Sequence, residues 1–186
     1  MPSKPTGKRT ARMTSLAPTT KRRAAIEKRQ RAAILVTGGT GFLGAELVRQ
    51  LVQEGARDVR VMATSIPDWL VDLGVETFEG SITNPDDTRR AVEGIRDIYH
   101  LAGRVSRERK DAREMYEIHV EGTRLLCDAA KAAGTKTIVL ASTSGTIAVS
   151  NDGEVIPDET YPVPLEIISR WPYYASKSYQ EMAALE

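Results

Sequence analysis

The sequence has a single cysteine and no long apolar stretch. Cys127 has no partner within the chain, which excludes an internal disulfide and leaves no need for an oxidising compartment. No apolar run approaches the roughly 20 residues that a membrane-spanning helix requires. The first residues also lack the apolar core of a secretory signal. We therefore expect a cytoplasmic protein with no membrane partner.

Acidic residues are scarce in the first part of the chain. Residues 1–31 hold ten lysines and arginines against one acid, Glu27, although the net charge of the 186 residues is only +1. We predict a basic, disordered tail over residues 1–31, followed by one globular domain over residues 32–186. The low acid content of the tail leaves an organelle transit peptide as an alternative. Nothing in it resembles a nucleic-acid-binding module, so nucleic acid is not an expected partner.

The globular part opens with an apolar strand, a glycine-rich turn and an amphipathic helix. The run from Ala33 to Val36 is typical of a strand buried on both faces, and the turn TGGTGFLG follows it. A glycine triplet at this place predicts a dinucleotide site, because a pyrophosphate lies against free N–H groups that a side chain would block. Gly38 then permits the sharp turn, Gly41 admits the phosphates, and Gly44 lets the helix pack on the strand.

Further strands and helices alternate along the rest of the chain. The predicted strands are Val59–Met62, Val75–Phe78, Ile98–Ala102 and Thr137–Ala141. The later helices are predicted over Asp111–Ala133 and Pro172–Glu186, with a long loop over Ser144–Trp171 between the last strand and the last helix. This alternation predicts an α/β fold, a Rossmann-type doubly wound parallel sheet of about five strands.

The end of the second strand bears on the choice of cofactor. Domains that bind NAD usually carry an acidic residue there, and domains that bind NADP favour an arginine nearby. Thr64 and Ser65 occupy the position, with neither an acid nor an arginine. Their hydroxyls could contact either a ribose or a 2′-phosphate. We expect NAD or NADP, with a slight preference for NADP.

A tyrosine and a lysine on the last helix are spaced for acid–base chemistry. Tyr173 and Lys177 are four residues apart and share one helix face. An ammonium group beside a phenol stabilises the phenolate, so that the phenol can exchange a proton with a carbonyl or alcohol oxygen. The hydroxyls of Ser142, Thr143 and Ser144 follow the fifth strand and either bind a substrate oxygen or simply cap the strand end.

From Ala33 to Glu186 these motifs resemble the extended short-chain dehydrogenase/reductase superfamily, which includes the NAD-dependent epimerase/dehydratase family. The resemblance implies that Thr143, Tyr173 and Lys177 are catalytic, with Ser144 as a second hydroxyl. It also implies cofactor contacts at Gly38, Gly41, Phe42, Leu43, Gly44, Thr64, Ser65, Ser81, Ile82, Leu101, Ala102, Gly103, Tyr173 and Lys177. No metal site is predicted.

Several positions depart from the usual family pattern. Ser81 follows Gly80 where an aspartate is usual, and His119 stands in the long helix where an asparagine is usual. We interpret His119 as a packed residue. Sugar dehydratases follow the active threonine with an acidic pair, whereas Ser144 and Gly145 stand here, which counts against an elimination mechanism. The pattern is most similar to the dihydroflavonol reductase and 3β-hydroxysteroid dehydrogenase branch.

The expected function is hydride transfer between NAD(P) and a carbonyl or secondary alcohol of a small-molecule substrate. A nucleotide-sugar epimerase or dehydratase is one alternative, and a non-catalytic nucleotide-binding fragment or sensor is the other. Family members continue well beyond the Tyr–Lys helix, so the resemblance implies that the C-terminal substrate region is missing here. The long helices are the expected contacts of a homodimer.

Overall fold

A computed structural model describes residues 34–147, 149–154 and 156–186. The predicted basic tail over residues 1–31 lies outside the described residues. Five parallel strands form one sheet in the order β3-β2-β1-β4-β5. The strands are β1 Ile34–Thr37, β2 Val59–Ala63, β3 Glu76–Glu79, β4 Asp97–His100 and β5 Thr137–Leu140. The predicted parallel, doubly wound sheet is therefore confirmed.

Helices connect the strands and cover the sheet. They are α1 Phe42–Gln53, α2 Asp68–Asp72, α3 Pro85–Ala91, α4 Ala112–Tyr116, α5 Gly122–Ala133, α6 Leu165–Ile168 and α7 Pro172–Leu185. The sequence signal for the start of α3 corresponds to a side-chain cap in the structure. Asn84 caps α3, where its side chain accepts hydrogen bonds from the backbone N–H groups of Asp86 and Asp87 at 2.9 and 3.2 Å. In the described residues, no helix has the length and apolar content needed to cross a membrane.

The apolar core lies on both faces of the central strands. Successive side chains of a strand point to opposite faces, so Leu35 and Val36 enter different clusters. Leu35 packs with Ile98 and Leu126 on one side. Val36 packs with Val61 on the other. The edge strand β5 is less covered, and half of the Val139 side chain is exposed.

The register brings the carboxyl ends of the central strands to one level. Thr37 at the end of β1 lies beside Met62 of β2 and beside His100 of β4. Strand order reverses at this point, since β2 continues the sheet on one side of β1 and β4 on the other. A crevice outside the carboxyl ends is the expected ligand position in such a sheet.

The long helix predicted over Asp111–Ala133 is continuous but not uniform. A 3₁₀ turn over Arg109–Asp111 leads into α4, and a π-helical segment over Glu117–Glu121 joins α4 to α5. His119 lies in the π segment and is completely buried, which agrees with its interpretation as a packed residue. The sequence pattern did not predict the π segment itself, and such segments are frequently found at functional sites.

The prediction of a loop over Ser144–Trp171 is partly wrong. A 3₁₀ turn forms over Ser144–Thr146, where the Thr146 hydroxyl donates to the Thr143 carbonyl oxygen at 2.9 Å. The short helix α6 begins after Pro164 and buries Ile168. Burial of this apolar side chain favours a helical turn in a segment that its prolines suggested was irregular.

The turn between β1 and α1 is closely packed on itself. Gly38 has a φ of +71°, which side chains rarely tolerate, and a Cβ atom there would lie 2.6 Å from the backbone nitrogen of Ala102. A Cβ atom at Gly44 would overlap the carbonyl oxygen of Gly38. The predicted close approach of the helix to the turn is therefore present in the structure.

Replacing Gly44 with alanine should destabilise the protein. The new methyl group would force the backbone of the turn away from α1, at a cost of roughly 3 kcal/mol in the free energy of unfolding. Urea denaturation measures this change. Gly153→Ala is the matched control, because nothing lies within 4 Å of a Cβ atom built at that glycine. A control change beyond about 0.5 kcal/mol, or equal losses in both variants, would contradict the explanation.

Candidate active site

A cleft of about 550 Å³ opens where the strand order reverses. It lies at the carboxyl ends of β1 and β2 and is closed on one side by the segment that follows β4. Its walls are formed by Thr37, Gly38, Thr40, Gly41, Met62, Ala63, Thr64, Gly80, Ser81, Ile82, Leu101, Ala102, Gly103, Arg104, Val105, Glu114 and Ile118. Backbone and small side chains dominate this wall.

Eight of the residues predicted to contact a cofactor line the cleft: Gly38, Gly41, Thr64, Ser81, Ile82, Leu101, Ala102 and Gly103. Phe42 and Leu43 begin α1 and are exposed at its surface, and Phe42 is fully exposed. Gly44 is buried against the turn. Ser65, Tyr173 and Lys177 also lie off the wall of this cleft.

Sequence reasoning missed the far wall of the cleft. Arg104 and Val105 follow β4, and Glu114 and Ile118 come from the long helix. The i, i+4 spacing of Glu114 and Ile118 was an available signal, since it places both side chains on one helix face. Arg104 forms ion pairs with Asp111 at 3.3 Å and with Glu114 at 3.2 Å. The pairs tie the segment after β4 to the start of the helix.

The first turn of α1 carries no negatively charged side chain. The N-cap residue Gly41 makes no side-chain hydrogen bond to the helix. The free N–H groups and the positive end of the helix dipole therefore have no anionic partner among the described residues of that turn. Such a helix start suits a phosphate group.

A second group of side chains surrounds the end of β5. Thr143 follows the strand and lies close enough to Tyr173 for a side-chain hydrogen bond. Tyr174 packs on the 3₁₀ turn, where a Cβ atom at Gly145 would overlap the Tyr174 ring. Close packing of the turn on α7 thus brings the threonine and the tyrosine together. Ser142 instead donates to Glu181, and Ser144 is exposed.

The ammonium group of Lys177 is buried beside the same strand. Its Nζ atom donates to the backbone oxygen of Ala141 at 2.5 Å and to the side-chain oxygen of Gln180. Burial lowers the pKa of Lys177 to about 8, and the charge of Glu181 opposes that decrease. The lysine is thus easier to deprotonate than one at the surface.

The Tyr173 phenol has a pKa above its ordinary value. Burial is the largest cause, and the hydrogen bond with Thr143 acts in the opposite direction. The sequence-based expectation was a phenol pKa lowered by Lys177. In the structure the ammonium is turned towards Ala141 and Gln180, which explains the difference.

His119 links the cleft to the Tyr–Lys helix. The backbone N–H of Arg104 donates to its Nε2 atom at 3.0 Å, so the ring proton lies on Nδ1, 2.9 Å from the Ser176 hydroxyl oxygen. The imidazole also packs edge-on against the Tyr173 ring, with centroids 5.9 Å apart. Burial, and then the charge of Lys177, lower the pKa of His119 to about 4. The imidazole is therefore neutral at pH 7.

His100 is also buried and neutral. Its Nδ1 and Nε2 atoms lie 2.7 Å from the Thr37 hydroxyl oxygen and 2.9 Å from the Thr123 hydroxyl oxygen. Burial is the main cause that lowers its pKa to about 3, followed by the charges of Lys177 and His119. Within the described residues, no group of three or more histidine, cysteine, aspartate and glutamate side chains could hold a metal ion.

A family profile decides how this arrangement is classified. The profile of the NAD dependent epimerase/dehydratase family matches residues 34–186, which include the glycine turn, the cleft and the Tyr–Lys helix. The chain belongs to the NAD dependent epimerase/dehydratase family. The family predicted from the motifs is therefore confirmed.

Two relatives illustrate what the chain is similar to. The chain is 38% identical to a putative dihydroflavonol 4-reductase of Synechocystis, over 81% of this chain and 43% of the relative. It is 32% identical to human 3 beta-hydroxysteroid dehydrogenase type 7, over 84% of this chain and 45% of the relative. The chain therefore spans less than half the length of these relatives.

Solved structures of the superfamily have the same fold. A short-chain dehydrogenase/reductase superfamily protein from Agrobacterium tumefaciens with bound NAD is 33% identical, with a TM-score of 0.69 over 81% of this chain and 43% of that one. A dTDP-glucose 4,6-dehydratase from Streptomyces venezuelae with bound NAD is 27% identical, with a TM-score of 0.69 over 81% and 49% of the two chains.

Stability of this family member should decrease as the pH falls from about 6.5. His100 and His119 are the two histidines of the sequence. Both have folded-state pKa values well below 6.5, so the unfolded chain binds more protons between that pH and about 4. The free energy of unfolding should lose up to about 1.4 kcal/mol per pH unit for each histidine.

Denaturation curves at pH 7.5, 6.0 and 5.0 measure this dependence. His100→Gln retains groups that can hydrogen bond with both threonines but does not titrate, so its stability should depend less steeply on pH. His119→Asn should act in the same way. Parallel slopes for the wild type and both variants would show that neither histidine is buried in the neutral form.

Proposed function

We propose that this chain is the nucleotide-binding and catalytic part of an NAD(P)-dependent oxidoreductase that acts on a carbonyl or secondary alcohol. One observation carries the proposal. Thr143, Tyr173 and Lys177 lie around the end of β5, and His119 joins this group to the wall of the cleft through the backbone of Arg104. The proposed proton-transfer groups are thus neighbours of the cleft.

The cleft fits a dinucleotide. Glycines leave the backbone bare at the β1–α1 turn, and α1 begins without an acidic side chain in its first turn, so a pyrophosphate can lie there. We assign the cofactor contacts to the residues of the cleft wall, including Thr64 and Ser81. Solved relatives with bound NAD support the assignment. When bound, the nicotinamide would supply or accept the hydride.

The chain's own residues would handle the proton. The Tyr173 hydroxyl would donate its proton to a substrate carbonyl oxygen during reduction and take it back from the alcohol during oxidation. Thr143 would donate a hydrogen bond to the same oxygen as negative charge develops on it. Lys177 would keep a positive charge at the end of β5, beside Thr143 and Tyr173. His119 stays neutral and holds its neighbours in place.

Loss of the phenol hydroxyl should remove turnover but not cofactor binding. Tyr173→Phe should lower kcat at least 100-fold, the lower range for a general acid–base group, while the Kd for NADH stays within a factor of three. Absorbance at 340 nm with dihydroflavonol and 3-ketosteroid substrates measures turnover. Tyr179→Phe, an exposed tyrosine on the same helix, is the matched control. Equal and measurable turnover in both variants would remove Tyr173 from the mechanism.

We further propose that the cofactor is NAD rather than NADP. The slight sequence preference for NADP rested on the hydroxyls of Thr64 and Ser65. Among the described residues lining the cleft, Arg104 is the cation, and Asp111 and Glu114 already pair with it. A 2′-phosphate near Thr64 would therefore have no free cationic side chain to bind.

NADH should bind at least tenfold more tightly than NADPH, which corresponds to about 1.4 kcal/mol. Quenching of protein fluorescence during titration gives both Kd values. Thr64→Arg should reduce the difference between the Kd values for NADH and NADPH, because its guanidinium group can bind the 2′-phosphate. Tighter binding of NADPH to the wild type would overturn the preference, and binding of neither cofactor would overturn the proposed function itself.

A nucleotide-sugar dehydratase is the alternative function. The Streptomyces venezuelae dehydratase favours it, since that structure is similar to this chain. Packing around Gly145 opposes it, because a Cβ atom there would overlap the Tyr174 ring. An acidic side chain of the kind that dehydratases carry after the active threonine would require the Tyr174 ring to move. A non-catalytic nucleotide sensor would bind NADH without turnover.

A homodimer through the long helices is also part of the proposal. Tyr116 on α4 packs edge-on against Tyr179 on α7, and both rings remain partly exposed, as does Met182 on α7. An apolar patch of this kind on two adjacent helices is a suitable self-association surface. Sedimentation measurements distinguish a monomer from a dimer. The cytoplasm is the proposed location, because the sequence has a single cysteine.

A further inference from the structure

Lys177 is held by a side chain that the proposed mechanism does not use. Gln180 lies one helical turn further along α7 and accepts a hydrogen bond from the Lys177 ammonium through its Oε1 atom. Its Nε2 atom donates to the hydroxyl oxygen of Thr123 on α5 at 2.8 Å. The glutamine therefore bridges the lysine and the neighbouring helix.

The bridge continues to the floor of the cleft. The Thr123 hydroxyl oxygen is 2.9 Å from Nε2 of His100, and Nδ1 of the same ring is 2.7 Å from the Thr37 hydroxyl oxygen. That oxygen also accepts from the backbone N–H of Ala102 at 3.3 Å. Thr37 and Ala102 both line the cleft. One continuous series of hydrogen bonds thus joins α7, α5, β4 and β1.

Burial makes this arrangement specific. Gln180, Thr123, His100 and Thr37 are each at most 1% exposed. A buried amide is costly unless both of its ends are hydrogen-bonded. An ammonium can only donate, so the amide oxygen must face Lys177 and the amide nitrogen must face Thr123. The reverse orientation would place two donors against each other.

We propose that Gln180 is a positioning residue for Lys177, held in orientation by Thr123, and that it keeps the ammonium group charged and in place beside Ala141 at the end of β5. This inference rests on the proposed role of the Tyr173–Lys177 pair. Two oxygen acceptors compensate for part of the water that the buried ammonium has lost. The resemblance to known families did not single out Gln180, and periodicity on α7 would assign it only to the core.

The other charged and titratable groups around Lys177 affect its protonation by their charge and not by a hydrogen bond to Nζ. Glu181, on the same helix, favours the ammonium form by its charge. His119 from the π-helical segment and His100 from β4 are neutral at pH 7, so they add no positive charge. The Glu181 carboxylate is engaged by the hydroxyls of Ser142 and Thr146. Among the described residues, Gln180 is thus the side chain that hydrogen-bonds to Nζ.

Two substitutions with opposite effects test the proposal. Gln180→Leu removes the acceptor and should lower the pKa of Lys177 by about one unit, a tenfold change in its protonation equilibrium. Gln180→Glu keeps the shape, adds a negative charge and should raise that pKa. Titration of lysine Cε signals by NMR, with the Lys177 signal assigned by its loss in Lys177→Arg, measures both shifts without any turnover.

Gln53→Leu, an exposed glutamine at the end of α1, is the matched control and should leave the titration unchanged. Opposite shifts in the two Gln180 variants support a positioning role, which a merely structural role would not produce. Shifts of the same sign, or none in Gln180→Glu, would overturn it. Gln180→Glu settles the outcome if Gln180→Leu fails to fold. The proposed function fails separately, if Tyr173→Phe retains turnover.

Discussion

The burial of an ammonium group organises this end of the molecule. Lys177 lies between α7 and the sheet, where a charge is stable only if hydrogen-bond acceptors replace the lost water. The Ala141 carbonyl and the Gln180 amide supply those acceptors. The amide nitrogen of Gln180 then needs an acceptor, which the Thr123 hydroxyl supplies. Thr123 in turn contacts His100, which contacts Thr37. A single buried charge thus explains why so many polar side chains occupy what would otherwise be an apolar core.

This polar interior meets the cleft at the strand ends. The reversal of strand order leaves a space beyond β1 and β4, and the register places Thr37 next to His100 on the border of that space. His119 makes a second connection, from the cleft wall at Arg104 to Ser176 on the Tyr–Lys helix. Two neutral histidines therefore connect the two halves of the site. Neither adds positive charge beside the lysine at neutral pH, so the burial of Lys177 depends on their remaining unprotonated.

Features that depend on local pattern could be predicted from the sequence. A continuous apolar run identifies β1, Asn84 before a proline marks the start of α3, and the spacing of Gly38, Gly41 and Gly44 identifies the turn. Features that depend on contacts between distant segments could not. The π segment has no distinct sequence pattern, and the direction of the Lys177 side chain depends on Gln180 and on the end of β5. The Tyr–Lys spacing was visible, but the effect of burial on the phenol pKa was not.

The central claim is that one chain brings a dinucleotide to a tyrosine that can exchange a proton with the substrate. A crystal structure of this protein with NADH tests it most directly. The pyrophosphate should lie against the backbone N–H groups at the start of α1, and the nicotinamide should point towards the Tyr173 hydroxyl and Thr143. A dinucleotide bound elsewhere, or a nicotinamide directed away from Tyr173, would contradict the claim.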